Sequence, residues 1–146
     1  MENNNLDLWP ESFAVEIKIN PPLAILREQA SLLERKTGGL VKAAVQKSEN
    51  AIVEAGIIAM TMLRKPTNSV ISYSFWLLAP AFGNYRYQLF TVEQPIEMYP
   101  LRIVDSPLED MEITSEDDLL AKLKLIFASD KAQRVIGAMI AQSQTA

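Results

Sequence analysis

The first regular pattern along the chain is an alternation of apolar and polar residues over positions 13–19. The apolar side chains occupy every second position: Phe13, Val15, Ile17 and Ile19. A period of two is typical of a strand with one buried face. We therefore predict a half-buried strand over this range.

A helical pattern follows directly. Asn20-Pro21-Pro22 ends the strand and suits a helix start, because asparagine can cap free amides and proline fits the first turn. Gly38-Gly39 predicts the helix end, since glycine adopts the left-handed backbone of that position. The apolar positions between them recur at helical spacing: Leu23, Leu26, Ala30 and Leu33.

Several strands are predicted between residues 40 and 104. In one of them, Tyr73, Phe75 and Leu77 alternate with Ser72 and Ser74. Proline lacks an amide donor, so Pro100 would confine the last strand to an edge or a bulge. The strands are predicted over 40–47, 70–79, 85–92 and 98–104, with turns at 65–68 and 80–84.

Residues 51–63 are apolar on both faces, with Glu54 and Thr61 as the interruptions. Their β-branched residues favour a long strand, while Asn50 and the Ala, Met and Leu content leave a helix open. A strand of this kind needs cover on two sides. We therefore predict a homodimer formed through a sheet face or the hairpin.

Two amphipathic helices end the pattern. Ser115 with Asp118 predicts a capping box, and Asp130 with Gln133 predicts a second one. Ser129 alone separates them, so the chain must turn sharply there.

The order of elements predicts an α+β fold, with an antiparallel sheet of five or six strands, one helix after the first strand and two C-terminal helices on the sheet. The 146 residues suit a single domain over 1–146, with 1–11 as a loose segment.

Composition removes most catalytic classes. The chain contains no histidine and no cysteine, which excludes imidazole triads, thiol nucleophiles and the common zinc sites. Phosphate-loop, dinucleotide and nucleophile-elbow motifs are absent from the sequence. We predict no cofactor and no metal. Catalysis by carboxylate, lysine or tyrosine stays open.

Charge and hydropathy restrict the classes of partner that the chain can bind. Lysine and arginine form no cluster of the kind that nucleic-acid binding requires, and the longest apolar stretch is shorter than the roughly 20 residues of a membrane span. We expect a soluble, cytoplasmic protein that binds neither nucleic acid nor membrane.

Seven acidic residues and no basic one lie between Asp105 and Asp118. Our interpretation is that Glu116, Asp117 and Asp118 stabilise the first turn of a helix, where negative charge is favourable. A Mg²⁺ or Ca²⁺ site and a docking surface for a basic partner are the alternatives.

The central hairpin concentrates aromatic residues, and alternation puts Tyr85 and Tyr87 on one face and Arg86 on the other. Trp, Tyr and Arg dominate interaction hot spots. Our leading hypothesis is a non-catalytic interaction or accessory module, of the adaptor or immunity type, with contacts at Trp76, Phe82, Tyr85 and Arg86.

The alternative is a small-molecule binder or a carboxylate-based enzyme. Its pocket would lie between the sheet and the C-terminal helices. The polar residues predicted for that pocket are Glu54, Tyr73, Tyr87 and Arg102.

Overall fold

A computed structural model of the chain describes residues 6–13, 20–48 and 70–146. The elements in these ranges are α1 (Pro22–Lys36), β1 (Lys42–Lys47), β2 (Ile71–Ala79), a short 3-10 helix (Pro80–Phe82), β3 (Tyr85–Gln94), β4 (Leu101–Val104), β5 (Met111–Ile113), α2 (Glu116–Phe127) and α3 (Asp130–Gln144). The strands form one antiparallel sheet in the order β1-β2-β3-β4-β5.

This architecture confirms the predicted α+β fold with one preceding helix and two C-terminal helices. The strand predicted over 13–19 lies outside the described residues, apart from Phe13, and the 51–63 segment lies outside them entirely. None of the described helices is long and apolar enough to cross a bilayer.

The core lies between one face of the sheet and the three described helices. Tyr73, Phe75 and Leu77 point to this helix face, as their alternation predicts, and each is at most 1% exposed. The helices contribute to the same buried cluster through Leu26 of α1, Leu123 of α2, and two α3 residues, Ala132 and Met139. The opposite face, here called the polar face, includes Gln46, Ser74, Trp76, Arg86, Gln88 and Thr91.

A β-bulge in β3 shifts the apolar alternation by one position. Phe75 pairs with Phe90 but Trp76 pairs with Gln88, so Leu89 is the extra residue. Leu89 and Phe90 are both fully buried, because the bulge lets two consecutive side chains leave the polar face.

The start of α1 differs from the prediction. Pro21 occupies the cap position, and no side chain of the described residues caps the helix. Asn20 instead donates to the carboxylate of Glu116, from its backbone nitrogen at 3.1 Å and its side-chain amide at 3.3 Å. This contact ties the start of α1 to the start of α2. The predicted end is confirmed, since Gly38 and Gly39 both have positive φ.

The C-terminal helices meet as predicted, but the second cap is Ser129 and not Asp130. The Ser115 hydroxyl accepts from the Asp118 amide at 3.1 Å, which confirms the first cap. Ser129 Oγ accepts from the Ala132 amide at 3.3 Å and donates to the Ile126 carbonyl at 2.7 Å. The Ser129 side chain therefore hydrogen-bonds a free carbonyl at the end of α2 and a free amide at the start of α3.

The prediction that Pro100 confines its strand to an edge or bulge was wrong. Pro100 precedes β4, which begins at Leu101, so its missing donor leaves the strand ladder intact. The edge strand at this end of the sheet is β5, which was not predicted from the sequence. Its alternation, with Glu112 exposed between Met111 and Ile113, lies within the acidic run and is hard to recognise there.

Candidate functional site

An apolar groove runs along the helix face between α1 on one side and α2 and α3 on the other. Its deeper part encloses about 290 Å³ and has Phe75, Leu77 and Leu89 of the sheet at its base. A second part of about 390 Å³ adjoins it. The two parts share Gln29, Phe127 and Gln133, so they form one continuous groove.

The helix pair holds one wall of the groove in place. Phe127, the last residue of α2, packs against Phe75 and Phe90 with ring centroids at 5.6 and 6.3 Å. The sharp turn at Ser129 then sends α3 back along the groove, where Gln133 and Ile136 line it. Aromatic packing and the shared serine cap therefore fix the position of this wall.

The apolar residues along the groove are only partly covered. Leu32, Leu33, Phe127 and Ile136 are half-buried, and Leu120 is 44% exposed. Burying apolar surface is favourable by about 25 cal/mol per Å². An open row of such side chains is therefore a surface that gains stability from a further apolar contact.

The charge of the groove is opposite in sign to that of the chain. Among the described residues that line it, the charged ones are Lys36 and Lys124, whereas the whole chain has a net charge of −4. Both lysines are exposed. The groove therefore favours a ligand with an apolar body and negative charge at its margins.

The hairpin forms a separate hollow on the helix face, here called the hairpin hollow. Phe82 and Tyr85 line it opposite α3, and it encloses about 320 Å³. The turn between them has positive φ at Gly83 and Asn84. Helical periodicity puts Val135 and Ala138, which line this hollow, on the flank of α3 opposite to Gln133 and Ile136.

The other two predicted interaction residues lie on the polar face. The Arg86 guanidinium carbon lies 4.3 Å from the Trp76 ring centroid, and Arg86 also donates to Gln46 at 3.0 Å. Trp76 and Arg86 are therefore brought together, as are Phe82 and Tyr85, but the two pairs lie on opposite faces of the sheet. The alternation that separates Tyr85 and Tyr87 from Arg86 is confirmed.

The polar face also contains a buried hydroxyl pair. Ser74 and Thr91 are each 7% exposed, and their hydroxyl oxygens are 2.9 Å apart. Gln88 donates to both, at 3.3 Å to Ser74 and 2.6 Å to Thr91. These polar groups are hydrogen-bonded to one another, so their burial in the sheet requires no bound ligand.

The three described residues of the predicted alternative pocket are not brought into one cavity. Tyr73 is buried, and its hydroxyl donates to Gln94. Tyr87 is half-buried on the helix face, with the Lys131 ammonium 5.8 Å from its ring. Arg102 is on the surface, 3.3 Å from Glu93 and 3.7 Å from Asp110. Glu54 lies outside the described residues.

The acidic run is divided among the loop between β4 and β5, β5 itself and the start of α2. Glu116, Asp117 and Asp118 occupy the first turn of α2, as our interpretation proposed. Hydrogen bonds from the Lys122 side chain, at 2.9 Å, and from the Thr114 amide, at 3.2 Å, lower the pKa of Asp118. Within residues 6–13, 20–48 and 70–146, acidic side chains form no group of three that could hold a metal ion.

Sequence reasoning missed the groove residues. The sequence does contain one indication of them, because the apolar stripes of α1 and α2 are wider than burial in the core requires. Leu32 is an additional leucine beside Leu33 on α1, and Leu120 is an additional leucine beside Leu119 on α2. Neither surplus leucine is fully buried.

Comparison with known proteins returned no relative. No family model, no curated protein and no solved structure matches the chain. The function must therefore be argued from the site alone.

Proposed function

We propose that this protein is a non-catalytic binding module that receives an apolar segment with acidic flanks, supplied by a protein partner, in the groove between α1 and the C-terminal helices. The observation that carries the proposal is an open, apolar groove whose described charged lining residues are two lysines. A cytoplasmic location, without nucleic-acid binding, is part of the same proposal.

The shape of the groove supports a peptide segment. It is continuous along the C-terminal half of α1, so it can take several side chains in a row. Apolar anchors in such a groove supply most of the binding energy, while charges at its rim set orientation and association rate. The hairpin hollow with Phe82 and Tyr85 offers a second contact on the other flank of α3.

A selection from a displayed peptide library tests the proposal. The wild-type chain is the bait, and the counter-bait carries Lys36→Glu and Lys124→Glu. We expect enriched peptides to combine two or more large apolar residues with acidic neighbours. Their affinity for the double variant should fall about tenfold, because two favourable rim contacts become repulsive.

The matched control carries Arg27→Glu and Arg134→Glu. These residues are exposed on α1 and α3 and do not belong to the residues that line the groove, and the control changes the net charge by the same amount. Peptides that bind all three proteins equally, or a selection that enriches no sequence, would refute the proposal.

The alternative is an amphipathic small molecule with a carboxylate head. The observation that favours it is the 290 Å³ volume of the deeper part, which is close to the lower limit for small-molecule sites of roughly 300 Å³. A medium-chain fatty acid that raises the melting temperature of the wild-type chain, where no peptide does, would select this alternative.

A further inference from the structure

The segment over residues 6–13 exposes an unusual amount of apolar surface. Leu6 is 92% exposed, Leu8 89%, Trp9 74% and Phe13 61%. Single exposed apolar residues are common on protein surfaces, but four large ones within eight residues form a patch of the kind that marks an interaction site.

This segment has the chemistry that the groove favours. Its charged residues are Asp7 and Glu11, and they lie among the apolar side chains. The Trp9 and Phe13 rings lie 6.0 Å apart, which gives the segment a compact aromatic anchor. Apolar groups with acidic neighbours match an apolar groove whose described charged residues are Lys36 and Lys124.

We propose that the groove of one copy receives residues 6–13 of a second copy, and that the reciprocal contact closes a symmetric dimer. This inference rests on the proposed function, since it names an occupant of the same groove. Each copy contributes one segment and one groove. In a symmetric dimer both segments are therefore bound and both grooves are filled.

The exposure of residues 6–13 favours a second copy over the same chain as the occupant of the groove. Leu6, Leu8, Trp9 and Phe13 are all largely exposed, so they do not fill the groove of their own chain. Their apolar surface is therefore available to the groove of another copy.

Sedimentation of the wild-type chain and two variants tests the dimer. Trp9→Ala with Phe13→Ala removes the anchor, and Leu32→Asp puts a charge into the groove wall. All three side chains are at least partly exposed, so both variants should keep the wild-type fold, which their circular dichroism spectra check. We expect a wild-type dimer and a rise in its dissociation constant of roughly thirtyfold or more in each variant, the size of a hot-spot loss.

Two controls match these changes. Val70→Ala with Ile96→Ala removes exposed apolar side chains elsewhere, and Leu125→Asp charges a leucine of α2 that is exposed and does not belong to the groove lining. Both should sediment as the wild type does.

A mixture of the segment variant and the groove variant tests the reciprocal contact more specifically than either variant alone. The Leu32→Asp copy still has its segment and the Trp9→Ala/Phe13→Ala copy still has its groove, so one of the two contacts can form. The chain contains no cysteine, and a Gln144→Cys substitution therefore gives each variant a single site for a donor or acceptor dye. Energy transfer should appear in the mixture and not in either variant alone.

A wild-type chain that sediments as a monomer at about 100 μM, or variants that remain dimeric, would overturn the proposed dimer. The peptide selected by display separates this failure from that of the proposed function. A monomer that binds the peptide through the groove refutes only the dimer, whereas loss of peptide binding as well refutes both.

Discussion

Tyr73 and Tyr99 show how one hydroxyl can stabilise the fold while another does not. The Tyr73 hydroxyl donates to the side chain of Gln94, a residue that is 7% exposed, whereas the buried Tyr99 hydroxyl has no hydrogen-bond partner among the described residues. Burial raises the pKa of both phenols. The neighbouring Tyr99 adds to the effect at Tyr73, and the Glu116 carboxylate adds to it at Tyr99.

Tyr73→Phe should lower the free energy of unfolding by about 1 to 2 kcal/mol, because it leaves the buried oxygen of Gln94 without a donor. Tyr99→Phe makes the same chemical change without breaking a described hydrogen bond, so it should be close to neutral. Urea unfolding measures both. Equal losses in the two variants would contradict this account of the Tyr73 hydrogen bond.

The start of α2 carries a pH dependence that can be assigned to one carboxylate. The hydrogen bonds from Lys122 and the Thr114 amide hold the pKa of Asp118 below its ordinary value. A carboxylate with a depressed pKa contributes stability above the unfolded pKa of about 4, and this contribution is lost as the pH falls through the folded pKa.

We therefore expect Asp118→Asn to lower the melting temperature at pH 7, with a difference from the wild type that shrinks as the pH falls below 4. Asp117→Asn is the control, since it lies in the same turn without these hydrogen bonds among the described residues. A difference that stays constant from pH 7 to pH 3 would show that the charge of Asp118 does not stabilise the helix.

At the scale of elements, the sequence predicted most of what the structure describes. Periodicity identified α1, β2, β3 and the two C-terminal helices, because each buries a single face. The failures have local causes. Asn20 was misassigned as a cap because it bonds to Glu116, a residue distant in the sequence, and Asp130 was misassigned because the preceding Ser129 caps α3. β5 is too short to show its period against the surrounding charges.

At the scale of the molecule, the candidate site could not be predicted from periodicity. The groove joins the C-terminal half of α1 to helices almost one hundred positions later, and this proximity exists only after folding. Its residues also resemble core residues in the sequence: Leu33 and Ile136 continue apolar stripes, and only their partial exposure distinguishes them. The four predicted interaction residues are divided between the two faces of the sheet, as the alternation of Tyr85 and Arg86 requires. That Phe82 and Tyr85 meet α3 could not be predicted, because β-alternation does not show which distant helix a hairpin end contacts.

The central claim is that the groove between α1 and the C-terminal helices is the binding surface. Methyl NMR spectra of the chain, recorded during titration with a display-selected peptide, test it most directly. We expect shifts at Leu32, Leu120 and Ile136, which line the groove, and none at Leu78 and Val104, which lie on the polar face. Shifts confined to Leu78 and Val104 would place binding on the polar face and contradict the claim.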